Sequence, residues 1–548
     1  MDTQNNTQID SKNEEQPRKS VARSTAVMSL CTLVSRATGF IRTWAMAFAL
    51  GNTVMAAGFA LANNLPNMIY ELVAGGVLST AFLPIYLQQR NQRDTAASSD
   101  YASNLLSIAA VFLGGIALLA SIFAPQVIVT QSLFSSASDE TVTAAVWFFR
   151  FLSFEIVFYG ISAIFSGILN AEREFFWPAI SSVFMNIIAI IGFFAYPFIS
   201  AANATAGTTW LGITMLLSIM VMAFVQFPAL RKTGIRFRFI IDFHGEGFRD
   251  TIKLALPAIA CTAINLVSLS VMNSCALHVA ANGPSSVSYA WMWYQFPYGV
   301  LGVALSTAMF TEMSDALSRK DNVRFREHML AGLSTTLLLI IPMAALLFSC
   351  AYELIGLYSA GRFSADDIEP IARLLMGWAI NLPIYAAYMF VYRVFSALKD
   401  MKTVAICNAV FTCVQVGLYM VFTGVVGLGG FEGLGLIGIP VTDICFYSLM
   451  LVTLLAILQR RIAGLNIVGL VPGVAKVSLA SLVGGAVAFV LSRALDGVLA
   501  TGTALGSLLA LAITGIVGLA VIMLLCRVFH VGEINRLFSA IKRKVLRR

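Results

Sequence analysis

The amino-acid sequence predicts an all-α polytopic membrane protein of about 14 transmembrane helices, arranged as two parallel six-helix lobes plus two C-terminal helices. Three observations predict it. First, 58% of the 548 residues are hydrophobic and only 12% charged, about half the charged fraction of a soluble domain. Second, apolar runs of about 20 residues, the length that crosses a bilayer, recur along the whole chain. Third, short motifs recur six spans apart, as an internal repeat requires.

The spans are expected at 24–50, 56–88, 101–124, 141–170, 175–199, 208–230, 250–280, 286–317, 326–350, 368–398, 403–425, 434–459, 471–492 and 503–529. Several exceed one bilayer thickness, so tilt or projection beyond the membrane is expected. Residues 1–23 form a polar tail, disordered for want of apolar residues to bury. Residues 24–230 make an N-lobe, 231–249 a basic linker, 250–459 a C-lobe, and 460–530 the last two spans. The glycine-rich "VVGLGGFEGL" at 425–434 reads as a turn between spans.

Lys and Arg set the orientation. They cluster after the second span (Arg90, Arg93), the sixth (Arg231 to Arg249), the eighth (Arg319 to Arg326), the tenth (Lys399, Lys402) and the twelfth (Arg460, Arg461), and at both termini. The opposite loops hold only Arg362 and Arg493. By the positive-inside rule both termini are cytoplasmic and the span count is even. The same placement accounts for the net charge of +8 without nucleic acid. The C-terminal tail at 531–548 contains "EINRLFSAIKRKVLRR", which sets Ile534, Leu537, Phe538 and Ile541 at helical spacing against Lys542 to Lys544. It reads either as an amphipathic helix on anionic lipid or as a frayed basic tail.

The repeat is carried by "LSTAF" at 78–82 and "LSTAMF" at 305–310, each downstream of a proline within a span, Pro66 and Pro297. "FSGIL" at 165–169 and "FSALK" at 395–399 share a similar offset. Copies six spans apart have the same orientation, which places a substrate site between the two lobes, near mid-membrane. Pro66, Gly75, Gly76 and Pro297 are the expected helix-breaking hinges.

Charges inside spans are costly, roughly 2.5–3.5 kcal/mol each at the centre. "CTLVSRATGFIRTWAMAFALG" at 31–51 nevertheless carries Arg36 and Arg42. The two are about 9 Å apart along a helix and about 120° around it, so both can reach one wide cavity without sharing a narrow stripe. Facing a wet cavity, they suit an anion, and a guanidinium grips phosphate bidentately. The alternative is internal pairing, Arg42 with Glu71. Arg150 with Glu155 reads as a structural pair, and Lys253 as a lysine that snorkels to the interface or as a cavity residue.

"LVSRATGFIR", "LPNMIYELVAGGVLSTAFLPIY", "GILNAEREFFWPAISSVFMNI", "FPYGVLGVALSTAMF", "LYSAGRFS" and "RVFSALKDMKT" occur in this order and together resemble the MurJ/MviN lipid II flippases. That family belongs to the multidrug/oligosaccharidyl-lipid/polysaccharide exporter superfamily. The resemblance implies a lipid II flippase. It would move an undecaprenyl-diphosphate-linked peptidoglycan precursor from the inner to the outer leaflet of the bacterial plasma membrane by alternating access. Other glycan lipids or drugs on the same fold are the alternative substrates, and cell-wall synthesis and division proteins the implied partners. Arg36 and Arg42 fall on the family's first-span arginines. Two family arginines are replaced, by Tyr70 and Met292, and a family glutamate by Gln295. The implied diphosphate site therefore draws on Arg36, Arg42, Glu71, Lys253 and Gln295.

No enzyme, metal or cofactor is expected. A glycan polymerase needs an acidic cluster on an ordered external loop, and "SSASDE" at 135–140 is the one acidic patch in short external loops. The eight cysteines form no CxxC pair, and the four histidines fit no ligand spacing. Deleting residues 2–17 is predicted to leave complementation of a depletion strain intact; lost function at normal membrane abundance would contradict it.

Overall fold

The computed structural model describes residues 30–73, 82–92, 95–134, 139–243, 246–462, 464–496, 498–499 and 502–530. The tails at 1–23 and 531–548, Gly75 and Gly76, and most of the first "LSTAF" copy lie outside the described residues. α1 covers residues 30–50. The first half continues with α2 (Val54–Val73), α3 (Leu83–Gln92), α4 (Thr95–Ile122), α5 (Ala124–Val129), α6 (Asp139–Leu152), α7 (Glu155–Ala171), α8 (Phe176–Ala202), α9 (Ala204–Phe224) and α10 (Phe227–Lys232). Then come α11 (Glu246–Val279), α12 (Gly283–Pro297), α13 (Val303–Ser318), α14 (Asn322–Ser349), α15 (Ala351–Gly356), α16 (Ile368–Ala397), α17 (Met401–Phe422), α18 (Gly438–Arg461), α19 (Val471–Asp496) and α20 (Ala504–Val528).

The described part of each expected span coincides with helix. Among the described residues nine helices are long and apolar enough to cross a membrane, and α6 with α7 adds a tenth if the pair, bent by 44°, is one span. The described parts of the other four expected spans, over α1, α2–α3, α11 and α12–α13, are helical and stand outside that set. Among the described residues the count is therefore nine or ten. An all-helical solution is what hydrocarbon demands, since each backbone N–H and C=O must be satisfied within its own segment. Polar side chains close the ends: Asn203 accepts from the N–H of Ala206 at 3.1 Å, Asp321 from Arg324 at 3.0 Å, and Thr503 from Gly506 at 3.2 Å. The 425–434 stretch is a turn, with an isolated bridge between Leu428 and Phe431.

The two prolines behave differently. α12 ends at Pro297, and a π-helical stretch, Tyr298–Gly302, links it to α13, so the chain stays helical here and changes helix type. Pro66 lies within the uninterrupted α2, and the expected break there is corrected. Proline inside a membrane helix is tolerated when neighbouring groups satisfy the freed backbone; one turn along, the Asn67 amide donates to the Asn63 carbonyl at 2.9 Å.

The chain divides into two compact units. The first holds the described parts of Met1–Ala49, Ala62–Ile128 and Ala145–Ala263. In it Phe82, Tyr86, Tyr101, Phe165, Ile168 and Leu230 form a buried core. The basic linker is pinned along α4: the Ile240 N–H donates to Ser107 Oγ at 3.2 Å, while Asn104 both accepts from the N–H of Asp242 at 2.7 Å and donates to its carbonyl at 2.8 Å. Side chains of a helix here satisfy an extended segment that has no strand beside it.

The second unit holds the described parts of Leu50–Leu61, Val129–Ala144 and Ile264–Arg548. Its core joins α13, α14, α16 and α18 through Phe325, Met329, Phe390, Val394, Phe395 and Met450. The buried Asp443 of α18 accepts hydrogen bonds from Trp378 Nε1 at 2.8 Å, Gln415 Nε2 at 3.2 Å and the Tyr419 hydroxyl. Three neutral donors thus satisfy a carboxylate deep in an apolar unit.

The α1–α2 turn is bound into this second unit. Gly51 has φ +65°, and a Cβ there would lie 2.4 Å from the Arg362 carbonyl oxygen, so only glycine fits. Its own carbonyl accepts from the Tyr289 hydroxyl at 2.6 Å. Buried Asn52 accepts from Ser285 Oγ at 2.7 Å and Ser286 Oγ at 3.2 Å, and donates to Asp367 Oδ1 at 3.4 Å. Asn52→Ala is expected to destabilise the protein by about 1–3 kcal/mol, the cost of stranding buried polar partners, measured as a lowered melting temperature in detergent. An unchanged melting temperature would show that the serines find other partners.

Candidate functional site

α1 is fixed in rotation by α8. Ser35 Oγ lies 2.7 Å from Ser182 Oγ, and Asn186 Nδ2 donates to Thr38 Oγ1 at 3.0 Å and to the Ser35 carbonyl at 3.3 Å. One turn further along, Trp44, Phe48 and Phe194 stack with centroids 5.4–6.0 Å apart. These polar and aromatic contacts set which way each arginine of α1 faces.

Arg42 lines a cavity of about 320 Å³ within the first unit. Its polar walls are Asn63 and Asn67 of α2, Glu155 and Tyr159 of α7, Ser182 of α8 and Ser218 of α9. The rest is apolar, from Met185, Ala189, Met215, Ile219 and Met222. Glu155 is 1% exposed, and its Oε2 has no hydrogen-bond partner. Among the described residues no ion pair joins Glu155 to Arg42. The cavity therefore holds one fixed positive charge, one carboxylate and several neutral donors. That inventory takes water and a small anionic group: amides and hydroxyls orient oxygens, and the guanidinium supplies the charge.

The helix break explains the place of Glu155. α6 and α7 meet at a 44° bend, and Glu155 is the first residue of α7. The Ile156 and Val157 N–H groups donate to the Ser153 and Phe154 carbonyls across the bend, and the dipole of the helix that starts there favours negative charge, so a bend inside a long apolar segment is where a carboxylate can stand. Arg150, expected to pair with Glu155, is instead exposed on α6. Five residues span about 500° of an ideal helix, and the bend falls between the two, so they do not share a face.

The other sequence-derived residues are dispersed. Arg36 is half-buried on α1, outside the Arg42 cavity lining, and its Nε is buried without a hydrogen-bond partner. Gln295 and Met292 are half-buried on α12 and belong to the second unit, as does buried Pro297. The side chains of Tyr70, Glu71 and Lys253 lie outside the described residues. The residues the sequence missed are Asn63, Asn67, Glu155, Tyr159, Ser182 and Ser218. A signal existed in the four-residue spacings Asn63–Asn67 and Glu155–Tyr159, which put polar groups on one face of otherwise apolar helices.

The second unit carries an apolar furrow. One stretch, of about 650 Å³, runs between α14, α16 and α19 past Ala345, Phe348, Ile380, Leu482, Ala486 and Phe489. A second, of about 410 Å³, shares Ile341 and Pro383 with it and continues past Leu333, Leu451, Leu455 and Val474.

The fold is that of a polytopic helical transporter. It is similar to a solved structure titled lipid II flippase MurJ, inward closed conformation, at 22% identity and TM-score 0.74 over 92% of this chain and 99% of that one. It is also similar to an inward-facing multidrug resistance MATE family transporter of the MOP superfamily, at 16% identity and TM-score 0.66 over 80% of this chain and 99% of that one. The family model for lipid II flippase MurJ matches residues 46–505, and the chain belongs to that family. A lipid II flippase MurJ of Burkholderia cenocepacia is 27% identical over 414 residues, 74% of this chain and 79% of its own. A probable lipid II flippase MurJ of Rhizobium meliloti is 28% identical over 407 residues, 73% and 75% of the two chains.

Arg42→Ala is expected to abolish flipping at normal membrane abundance, because removing one partner of a buried charged hydrogen-bonded pair costs roughly 2–5 kcal/mol, well beyond tenfold in binding. Arg42→Lys keeps the charge, loses the planar fork and retains partial flipping at best. If adding Glu71→Ala to Arg42→Ala restored full flipping, Arg42 would be a structural partner of Glu71 and not a ligand.

Proposed function

We propose that the protein is a lipid II flippase, a transporter and not an enzyme, that moves the undecaprenyl-diphosphate-linked precursor from the inner to the outer leaflet of the bacterial plasma membrane by alternating access. Family membership over residues 46–505 is the observation that carries this conclusion. The chemistry agrees with it: the Arg42 cavity offers a guanidinium and neutral donors to the diphosphate, and the furrow of the second unit offers apolar walls to the isoprenoid chain. Arg36, Lys253 and Gln295 complete the polar contacts to the headgroup. The 24–230 and 250–459 lobes move against each other, with Pro297 and its π-helical stretch as one hinge.

Both termini lie in the cytoplasm in this scheme, where the basic C-terminus meets anionic lipid. A multidrug exporter shares the fold, but a drug cation would meet the wrong sign of charge at Arg42. In a strain depleted of its own flippase, this chain is expected to restore lipid-linked precursor to the outer leaflet, read by a leaflet-resolved assay. Retention of the precursor in the inner leaflet despite normal abundance would contradict the assignment. Ala486→Trp, which fills the furrow, is expected to slow flipping while leaving a short-chain diphosphate analogue bound as before; equal flipping would remove the furrow from the chain-binding role.

A further inference from the structure

Glu155 has no place in gripping a diphosphate, since a carboxylate beside phosphate is repelled by it. It nevertheless lines the Arg42 cavity, 1% exposed, with Oε2 unpartnered. Every other polar group there is neutral or positive. α1 contributes Arg42, α2 contributes Asn63 and Asn67, α7 contributes Tyr159, α8 contributes Ser182 and α9 contributes Ser218. Arg150 of α6, the nearest basic residue in sequence, is exposed. Arg42 and Tyr159 are thus the titratable groups that face Glu155 among the described lining residues, and arginine does not release its proton in proteins. No cation site competes for the carboxylate, because the guanidinium opposes a second positive charge.

The electrostatic balance of this enclosure differs between its empty and occupied states. With the cavity empty, ionised Glu155 compensates Arg42. A bound diphosphate diester brings two negative charges, which already outweigh Arg42, and an ionised Glu155 then adds a further uncompensated buried charge. One proton removes that added charge. The protonated acid also changes from acceptor to donor, so its O–H can point at a phosphate oxygen.

We propose that Glu155 is a proton-binding site coupled to the substrate: it takes one proton from water as the diphosphate enters the Arg42 cavity and returns it when the diphosphate leaves. The inference rests on the cavity being the diphosphate site, as put forward above. It makes precursor binding proton-linked, with affinity rising as pH falls, and gives transport a means of responding to the proton gradient as well as to the membrane potential.

The test is lipid II binding to the purified full-length chain in nanodiscs between pH 5.5 and 8.5. Lipid II is a diphosphate diester, whose own charge is constant over this range. The wild type is expected to lose affinity by about tenfold per pH unit above the point where Glu155 ionises, the slope of one linked proton. Glu155→Gln, which mimics the protonated acid, is expected to keep the low-pH affinity throughout. Addition of lipid II to wild type in weak buffer is expected to take up protons, up to one per lipid bound, and this readout needs no variant. A wild-type slope unchanged in Glu155→Gln, or no proton uptake at any pH, would overturn the proton site while Arg42→Ala still fails to bind. Undiminished lipid II binding by Arg42→Ala would instead overturn the cavity as the diphosphate site, and the proton linkage with it.

Discussion

A guanidinium inside an apolar helix is the constraint on which the first unit is built. It cannot shed its proton, and bare hydrocarbon would charge it several kcal/mol. The structure meets this by enclosing a polar cavity among α1, α2, α7, α8 and α9, with Arg42 on its wall. Much else follows from keeping that cavity in place. Ser35, Thr38 and Asn186 fix the rotation of α1; the aromatic stack of Trp44, Phe48 and Phe194 seals the next turn; the bend between α6 and α7 places a carboxylate at a helix N-terminus facing inward.

The second unit solves a different problem with the same materials. It embeds Asp443 and satisfies it completely with Trp378, Gln415 and Tyr419, so that this charge fastens three helices together. The contrast with Glu155 is physical. A carboxylate with three donors has most of its acceptor capacity taken, whereas one with a bare oxygen in a cavity keeps its chemistry available. Burial alone therefore does not mark an embedded acid as functional; its unspent hydrogen-bonding capacity does. The turn at Gly51 and Asn52 adds a third use of polar groups, binding a short N-terminal segment into a mainly C-terminal unit.

The helices were legible in the sequence because apolar length is a strong, local signal. All fourteen expected segments are helical over their described residues, and nine or ten of them meet the requirements of a span there. Arg42 was legible because a charge in an apolar run is conspicuous. Its surroundings were not. Asn63, Ser182 and Ser218 are ordinary residues in three different helices, and only tertiary packing brings them together. Glu155 was misassigned to Arg150 because spacing along one helix ignores a bend. Pro66 was read as a break from its residue type alone, whereas the helix accommodates it. After Pro297 the helix changes to a π-helical stretch, which was not foreseeable from composition.

The central claim is that the space beside Arg42 is wet and is filled by the diphosphate of the precursor. Ser218→Cys, in a background from which the native cysteines have been removed, tests it with no change to the charged residues. The account predicts that a small water-soluble thiol reagent labels this cysteine in membranes, and that saturating lipid II slows the labelling at least severalfold while a lipid without a diphosphate does not. Absence of labelling would contradict the wet cavity, and labelling at the same rate with and without lipid II would contradict its occupation by the substrate.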